Sequence, residues 1–208
     1  IYSFLIKPFW PGPAQKEWIK ESLVLENSIR LDLLEEDNVR LRDILSIQNS
    51  EKSGKISAPV ISKQLNGWSQ QFELGKGIIH GISSGDVVTA PGGLLGIVIS
   101  ATPMTSRVRL LTSPGSRLGV WVPRIKQHGL LIGIGTSRPQ IELLEKNINV
   151  QKGDIVSTSP ASTVLPPNLP VGVIQELDET ALPAPKGFVQ LSVAPHAIDW
   201  VQLQTINP

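Results

Sequence analysis

Three histidines (His80, His128 and His196), two aspartates that follow glycine (Asp86 and Asp154) and the serines Ser157 and Ser159 are the side chains here best suited to chemistry. The histidines show neither His-x-x-x-His nor Glu-x-x-His spacing, and the chain has no cysteine. Neither a zinc ligand set nor a disulfide framework is therefore available. A serine nucleophile needs glycine-lined space in which backbone N–H groups form an oxyanion hole. The best candidate stretch, Gly153-Asp154-Ile155-Val156-Ser157-Thr158-Ser159-Pro160, places bulky residues or proline there instead. His80 and Asp86 stand too close in sequence to occupy separate strands. Gly92-Gly93 and Gly133-x-Gly135 lack both a strand-to-helix context and a following Lys-Ser/Thr, so they do not cradle phosphate. His128 and His196 read as turn or surface residues. The pattern points to a non-enzymatic protein that needs no metal or cofactor.

Charge is informative in its distribution. The net charge is +1, so no global field favours nucleic acid. Between Asp86 and Glu142 there is no acidic residue, whereas Arg107, Arg109, Arg117, Arg124, Lys126 and Arg138 fall in that window, a local charge of +6. Residues 14–47 hold five basic and eight acidic side chains, net −3. We expect the basic block to form one face that meets an acidic partner, anionic lipid or another copy's acidic segment. The alternative is solvated charge scattered around a barrel.

The elements that must carry these residues change character once, near Ser50–Gly54. Before that point apolar residues follow a heptad. Val24, Leu31, Asn38 and Leu45 take position a, and Asn27, Leu34 and Leu41 take position d, within a helix expected from about Ala14 to Ile47. An Asn at position a costs stability but fixes register and favours two strands. In a parallel pair Arg30 faces Glu35 and Asp37 faces Arg42, each pair opposite in sign. The expectation is a parallel, in-register homodimer, the alternative being an amphipathic helix lying on its own β-domain. Ahead of the helix-breaking Pro11-Gly12-Pro13, the segment Ile1–Trp10 is apolar and aromatic. It reads either as the outer edge of a membrane anchor, since Tyr and Trp gather at membrane interfaces, or as a segment that packs on a protein surface.

After the switch the chain is short β-runs broken by Gly and Pro, which together number 35 of 208 residues (18 Gly, 17 Pro). Twelve strand candidates start at Ala58, Trp68, Asp86, Leu94, Ser106, Arg117, Gly129, Gln140, Asp154, Val171, Phe188 and Trp200, which argues for barrels or a sandwich. Gly85-Asp86-Val87-Val88-Thr89 is echoed by Gly153-Asp154-Ile155-Val156-Ser157, and Gly96-Ile97-Val98 by Gly172-Val173-Ile174. Two similar barrels would account for this, and so would chance, because Gly-Asp before branched residues is a common way to begin a strand. Pro160, Pro166, Pro167 and Pro170 stiffen one loop. That loop either presents Val164, Leu165 and Leu169 as a contact surface or serves as a rigid crossover.

Taken in order, these segments resemble the rod shape-determining protein MreC family. The run comprises Glu36-Asp37-Asn38-Val39-Arg40-Leu41-Arg42, Ala58-Pro59-Val60-Ile61, Trp68, Leu74-Gly75-Lys76-Gly77, Gly81-Ile82 and Asp86-Val87-Val88. It continues with Gly92-Gly93-Leu94-Leu95-Gly96-Ile97-Val98, then Ser106, Val108, Leu110-Leu111-Thr112, Gly153-Asp154, Val156, Thr158-Ser159 and Leu169-Pro170-Val171-Gly172-Val173. The resemblance spans roughly residues 14–208. It departs at Pro160, where the family usually has Gly, and at Pro167-Asn168, where a single Gly is common.

The resemblance implies a single-pass inner-membrane protein with a periplasmic head. The head would be mainly β, two six-stranded barrels similar in fold to chymotrypsin-like proteases but without a triad. It also implies dimers that associate further, and a scaffold role in peptidoglycan elongation with MreB, MreD, RodA and a class B penicillin-binding protein. The expected division is a juxtamembrane segment 1–13, a coiled-coil helix 14–50 and a β-head 55–208. One barrel would draw on both ends of the head, and the other would be inserted around 94–146. A membrane-fusion-type transport adaptor also joins coiled coil to β-domains, but it usually carries a helical hairpin, and this sequence shows no returning helix.

Overall fold

The computed structural model describes residues 15–44, 55–145, 149–162, 165–178 and 186–205. Gln15 to Ile44 contains neither Gly nor Pro and forms one helix, α1, of 30 residues, about 45 Å long at 1.5 Å per residue. All side chains described along it, those of residues 18–37, are exposed. Ser22 and Ser28 return their hydroxyls to the carbonyls of Ile19 and Leu25. These local bonds let a polar side chain sit within a helix. By backbone contacts the chain divides into two units, Ile1–Lys52 and Ser53–Pro208.

The second unit holds the twelve strands described: β1 (Lys55–Gln64), β2 (Gln71–Leu74), β3 (Val87–Ala90), β4 (Gly93–Ala101), β5 (Ser106–Leu110) and β6 (Arg117–Val122), then β7 (Gln127–Ile132), β8 (Gln140–Leu143), β9 (Ile155–Thr158), β10 (Pro170–Asp178), β11 (Lys186–Leu191) and β12 (Trp200–Gln204). They close into two six-stranded barrels with cyclic orders β1-β12-β3-β4-β5-β2 and β10-β11-β8-β7-β6-β9. Closure leaves no sheet edge unpaired. Alternation along each strand fills the interiors: in β5, Ser106, Val108 and Leu110 point inward and Arg107 and Arg109 outward. Phe72, Leu74, Val88, Leu95, Val108 and Leu203 fill the first barrel. Val120, Leu131, Ile141, Val156, Ile174 and Val189 fill the second.

The first barrel draws on both ends of the head, but the inserted barrel does not lie around 94–146. It is β6 to β11, residues 117–191. The expected boundary failed because β4 and β5, which fall in that window, hydrogen-bond to β3 and β2 instead.

The sequence echo is structural. Gly85 and Gly153 both adopt φ 99°, a left-handed conformation that suits glycine. Asp86 Oδ2 accepts the Ser83 N–H at 2.8 Å, and Asp154 Oδ2 accepts the Gln151 N–H at 2.8 Å. Gly85 N donates to Val98 O and Val98 N to Asp86 O, while Gly153 N donates to Ile174 O and Ile174 N to Asp154 O. Gln71-Phe72-Glu73-Leu74 in β2 matches Gln140-Ile141-Glu142-Leu143 in β8. A β-carbon at Gly96 would fall 2.2 Å from Arg109 O, and one at Gly172 would fall 2.2 Å from Gln190 O. Thus β1–β5 correspond in order to β7–β11, and β12 corresponds to β6. Each five-strand run hands its following strand to the other barrel: β6 closes the second and β12 the first.

The barrels share a seam. Val87, Leu94 and Leu111 join the core of the second barrel, and Val193 joins that of the first. Gly92 and Gly93 explain themselves here. Their φ values are 105° and 142°, and a β-carbon would fall 2.5 Å from Ser192 O at Gly92 and 2.2 Å from Pro170 O at Gly93. This pair serves close backbone approach between barrels.

Candidate binding surfaces

The histidines do not converge. His80 ends a short 3₁₀ turn, Ile78–His80, where its Nδ1 accepts the Gly77 N–H at 3.3 Å. His196 lies in a second such turn, Pro195–Ala197, and its carbonyl accepts a bond from Lys63. His128 on β7 is more engaged than a surface residue. Its ring centroid lies 4.5 Å from that of Trp121, and its Nδ1 lies 3.1 Å from Ser159 Oγ. This is a Ser–His pair without a third member: no carboxylate among the described residues is hydrogen-bonded to His128. Ser159 Oγ also accepts the Ala161 N–H, so it caps a turn. Among the described residues no group of three His, Cys, Asp or Glu side chains can hold a metal.

On α1, Val24, Leu31 and Leu34 are 63, 61 and 58 % exposed, and Asn27, Arg30, Glu35 and Asp37 are exposed with them. Asn38, Leu41 and Arg42 lie on the helix backbone, their side chains beyond those described, and Leu45 lies outside the described residues. The heptad positions whose side chains are described are all exposed.

The basic block is divided between the two barrels. Arg107 and Arg109 share the outer surface of the first barrel, opposite Glu73 and Gln71 of β2. Arg117, Arg124, Lys126 and Arg138 belong to the second-barrel segment, where Arg124 and Arg138 are spent internally. Arg138 Nη1 donates to Glu176 Oε1 at 2.9 Å. Arg124 grips the nearly buried Asp154 through two nitrogens, Nη2–Oδ2 being 2.7 Å. The Arg124 hydrogen bond, with help from the Gln151 N–H and the nearby positive charge, outweighs burial and holds the Asp154 carboxyl below its ordinary range. Asp154 and Glu176, from outside the acid-free window, are the partners of Arg124 and Arg138.

In the proline-rich loop the two leucines described turn inward. Leu165 is 5 % exposed and sits in the core of the second barrel, and Leu169 packs against the same core. Val164 lies outside the described residues. Thr158 organises the turn: its hydroxyl donates to Pro166 O at 2.7 Å and accepts the Leu169 N–H at 2.8 Å. Pro166 can still accept although it cannot donate, and leucine, once the backbone is anchored, turns inward to escape water.

One residue was missed. Trp68, expected on a strand, stands in the β1–β2 loop and is 93 % exposed. The preceding Asn66-Gly67 dipeptide, with Gly67 at φ 94°, was the available signal for a turn there.

Closed barrels with filled interiors define the class: a double-barrel β domain. The family model for the barrel core of rod shape-determining protein MreC matches residues 60–205. Cell shape-determining protein MreC of Escherichia coli is 29 % identical over 162 residues, which is 76 % of this chain and 44 % of that protein. The Cereibacter sphaeroides protein is 33 % identical over 143 residues, 69 % of this chain and 48 % of that one. A solved Listeria monocytogenes MreC superposes with TM-score 0.77 at 26 % identity, covering 91 % of this chain and 93 % of that one. MreC in a complex with penicillin-binding protein PBP2 from Helicobacter pylori shares the fold, with TM-score 0.57 and 11 % identity, over 74 % of this chain and all of that one. The chain belongs to the rod shape-determining protein MreC family, and it spans about half the length of the E. coli and C. sphaeroides relatives.

Proposed function

We propose that this chain is the periplasmic part of a non-enzymatic scaffold that controls rod shape by organising peptidoglycan synthases at the inner membrane. The family match over a double barrel carries this reading. Support also comes from the incomplete Ser–His pair, which has no hydrogen-bonded carboxylate among the described residues, and from barrel interiors filled by apolar side chains. α1 pairs in parallel through Val24, Asn27, Leu31, Leu34, Asn38, Leu41 and Leu45. The anchoring segment precedes it, with 1–13 at the membrane. The partner is a class B penicillin-binding protein, in line with the complex known for the H. pylori relative, and MreD, RodA and MreB complete the assembly. No observation favours the transport-adaptor alternative.

Within the basic block, Arg107, Arg109 and Arg117 are exposed and are the arginines offered to an acidic partner. The deciding experiment is binding of this chain to the periplasmic domain of the same organism's class B penicillin-binding protein, measured across salt. Binding should weaken as salt rises, and replacing all three arginines by Glu should abolish it. Absence of binding at low salt overturns the scaffold reading, and unchanged binding by the variant removes the arginines from it.

A further inference from the structure

A cavity of about 330 Å³ lies in the seam between the barrels. Four connections build it: the β1–β2 loop, the β5–β6 crossover, the β7–β8 loop and the β11–β12 crossover. By the internal repeat these are two equivalent pairs, so the cavity sits where the two halves of the head meet, a preferred location for ligand sites.

Its lining mixes polar side chains with the apolar Leu65 and Pro195 and carries neither carboxylate, ammonium nor guanidinium. Gln70 and Thr112 form a buried floor, 6 and 3 % exposed, and Asn66, Ser137 and His196 form an exposed rim. The floor is fixed in place. Gln70 Nε2 donates across the seam to Gly135 O at 2.9 Å, its backbone N–H donates to Ser113 Oγ at 3.2 Å, and Gly135 N donates to Thr112 O. The side chains of Asn66, Thr112 and Ser137 make no hydrogen bond among the described residues. The Thr112 hydroxyl is not enclosed: it opens on the cavity, where water satisfies it and a ligand hydroxyl can take that water's place. Beside the rim, directly after Gly67, stands Trp68, the most exposed of the large apolar side chains described.

From this combination we infer that the seam cavity binds a glycan, taking one sugar unit in the cavity with Trp68 stacked on the chain beside it. A pyranose presents an apolar C–H face and an edge of hydroxyls. An indole ring suits the face, while amide and hydroxyl side chains suit the edge, being both donors and acceptors. The absence of charge from the lining disfavours phosphates and carboxylate-rich ligands. The volume, near the lower end of about 300–1,000 Å³ for small-molecule sites, suits a sugar unit and is too small for a folded segment. Extended peptides commonly dock by adding to an open sheet edge, and both barrels are closed. Glycoside hydrolysis usually needs paired carboxylates, which the lining lacks, so the site binds without cleaving. This inference stands apart from the scaffold reading and does not require it.

The test is titration of the whole chain with a β-1,4-linked tetramer of N-acetylglucosamine, followed by two-dimensional NMR. The Trp68 indole signal and the amides of Gly67 and Gly135 should shift together and saturate. Trp68→Ala should weaken binding at least about tenfold, a loss of about 1.4 kcal/mol. Thr112→Val should weaken it as well, and Trp200→Ala, on an exposed position of the first barrel, should leave it unchanged. Trp68 is so exposed that its removal leaves the fold intact, which the remaining amide spectrum will verify. No shift up to about 10 mM oligosaccharide, well above a millimolar dissociation constant, overturns the inference. So do equal affinities for the chain and its Trp68→Ala variant.

Discussion

Asp154 and Asp86 show how one residue type in one local setting acquires two electrostatic roles. Both accept a backbone N–H three residues upstream, but only Asp154 is also held by a guanidinium, that of Arg124. Because the folded-state carboxyl lies below its usual value, the pair contributes stability fully above the unfolded carboxyl's pKa, about 3.9. That contribution is lost as pH falls through the depressed folded value. Arg124→Ala should therefore lower Tm at pH 7 by roughly a few degrees, and the gap should narrow below about pH 4. Thermal melts of both proteins across pH 2–8 would show it, and a gap independent of pH would mean that Arg124 acts by packing alone. This contact was not legible in the sequence. Arg124 and Asp154 stand in different segments, and only the closing of β6 against β9 brings them together. The Gly85-Asp86 and Gly153-Asp154 turns were legible, because glycine at positive φ followed by a capping carboxylate is a local device.

At the scale of the element, periodicity spoke plainly wherever the code is local. The helix and the twelve strands fell where the hydrophobic period and the Gly and Pro breaks put them, with ends shifted by a few residues. Readings that needed tertiary placement fared worse. The acid-free window does not show which acids its arginines meet, since Glu73 and Glu176 arrive from distant strands. Presented leucines or a rigid crossover were equally compatible with the proline-rich loop's sequence, and only the folded backbone at Thr158 turns Leu165 and Leu169 inward. For α1, the exposed Val24, Leu31 and Leu34 make the coiled-coil expectation testable. Replacing Leu31 and Leu34 by Lys should convert a dimer to monomer in sedimentation equilibrium, with helix content falling, since an isolated helix of this composition is marginal in water. A chain beginning at Gly54 should be monomeric. If the unaltered chain is already monomeric at the highest concentrations, the heptad is not its own pairing element.

For the whole molecule, the consequential feature is the exchanged sixth strand. The second barrel, β6 to β11, is one unbroken stretch of chain, whereas the first lacks a wall until β12 arrives at Trp200–Gln204. During synthesis the order of completion must therefore invert the order of the sequence. Strands β1 to β5 emerge first and wait with β1 and β3 unpaired on one side, while the later barrel closes. Such waiting edges are hazards for misassociation, and contacts as distant as Lys55 with Gln204 slow folding. A chain ending after Leu191 should accordingly keep slow amide exchange in β6 to β11 and lose it in β1 to β5. Equal protection in both sets would show that the first barrel holds without its last strand. Maturation of the head is thus gated by β12: a molecule interrupted before Trp200 carries one finished barrel and one open one.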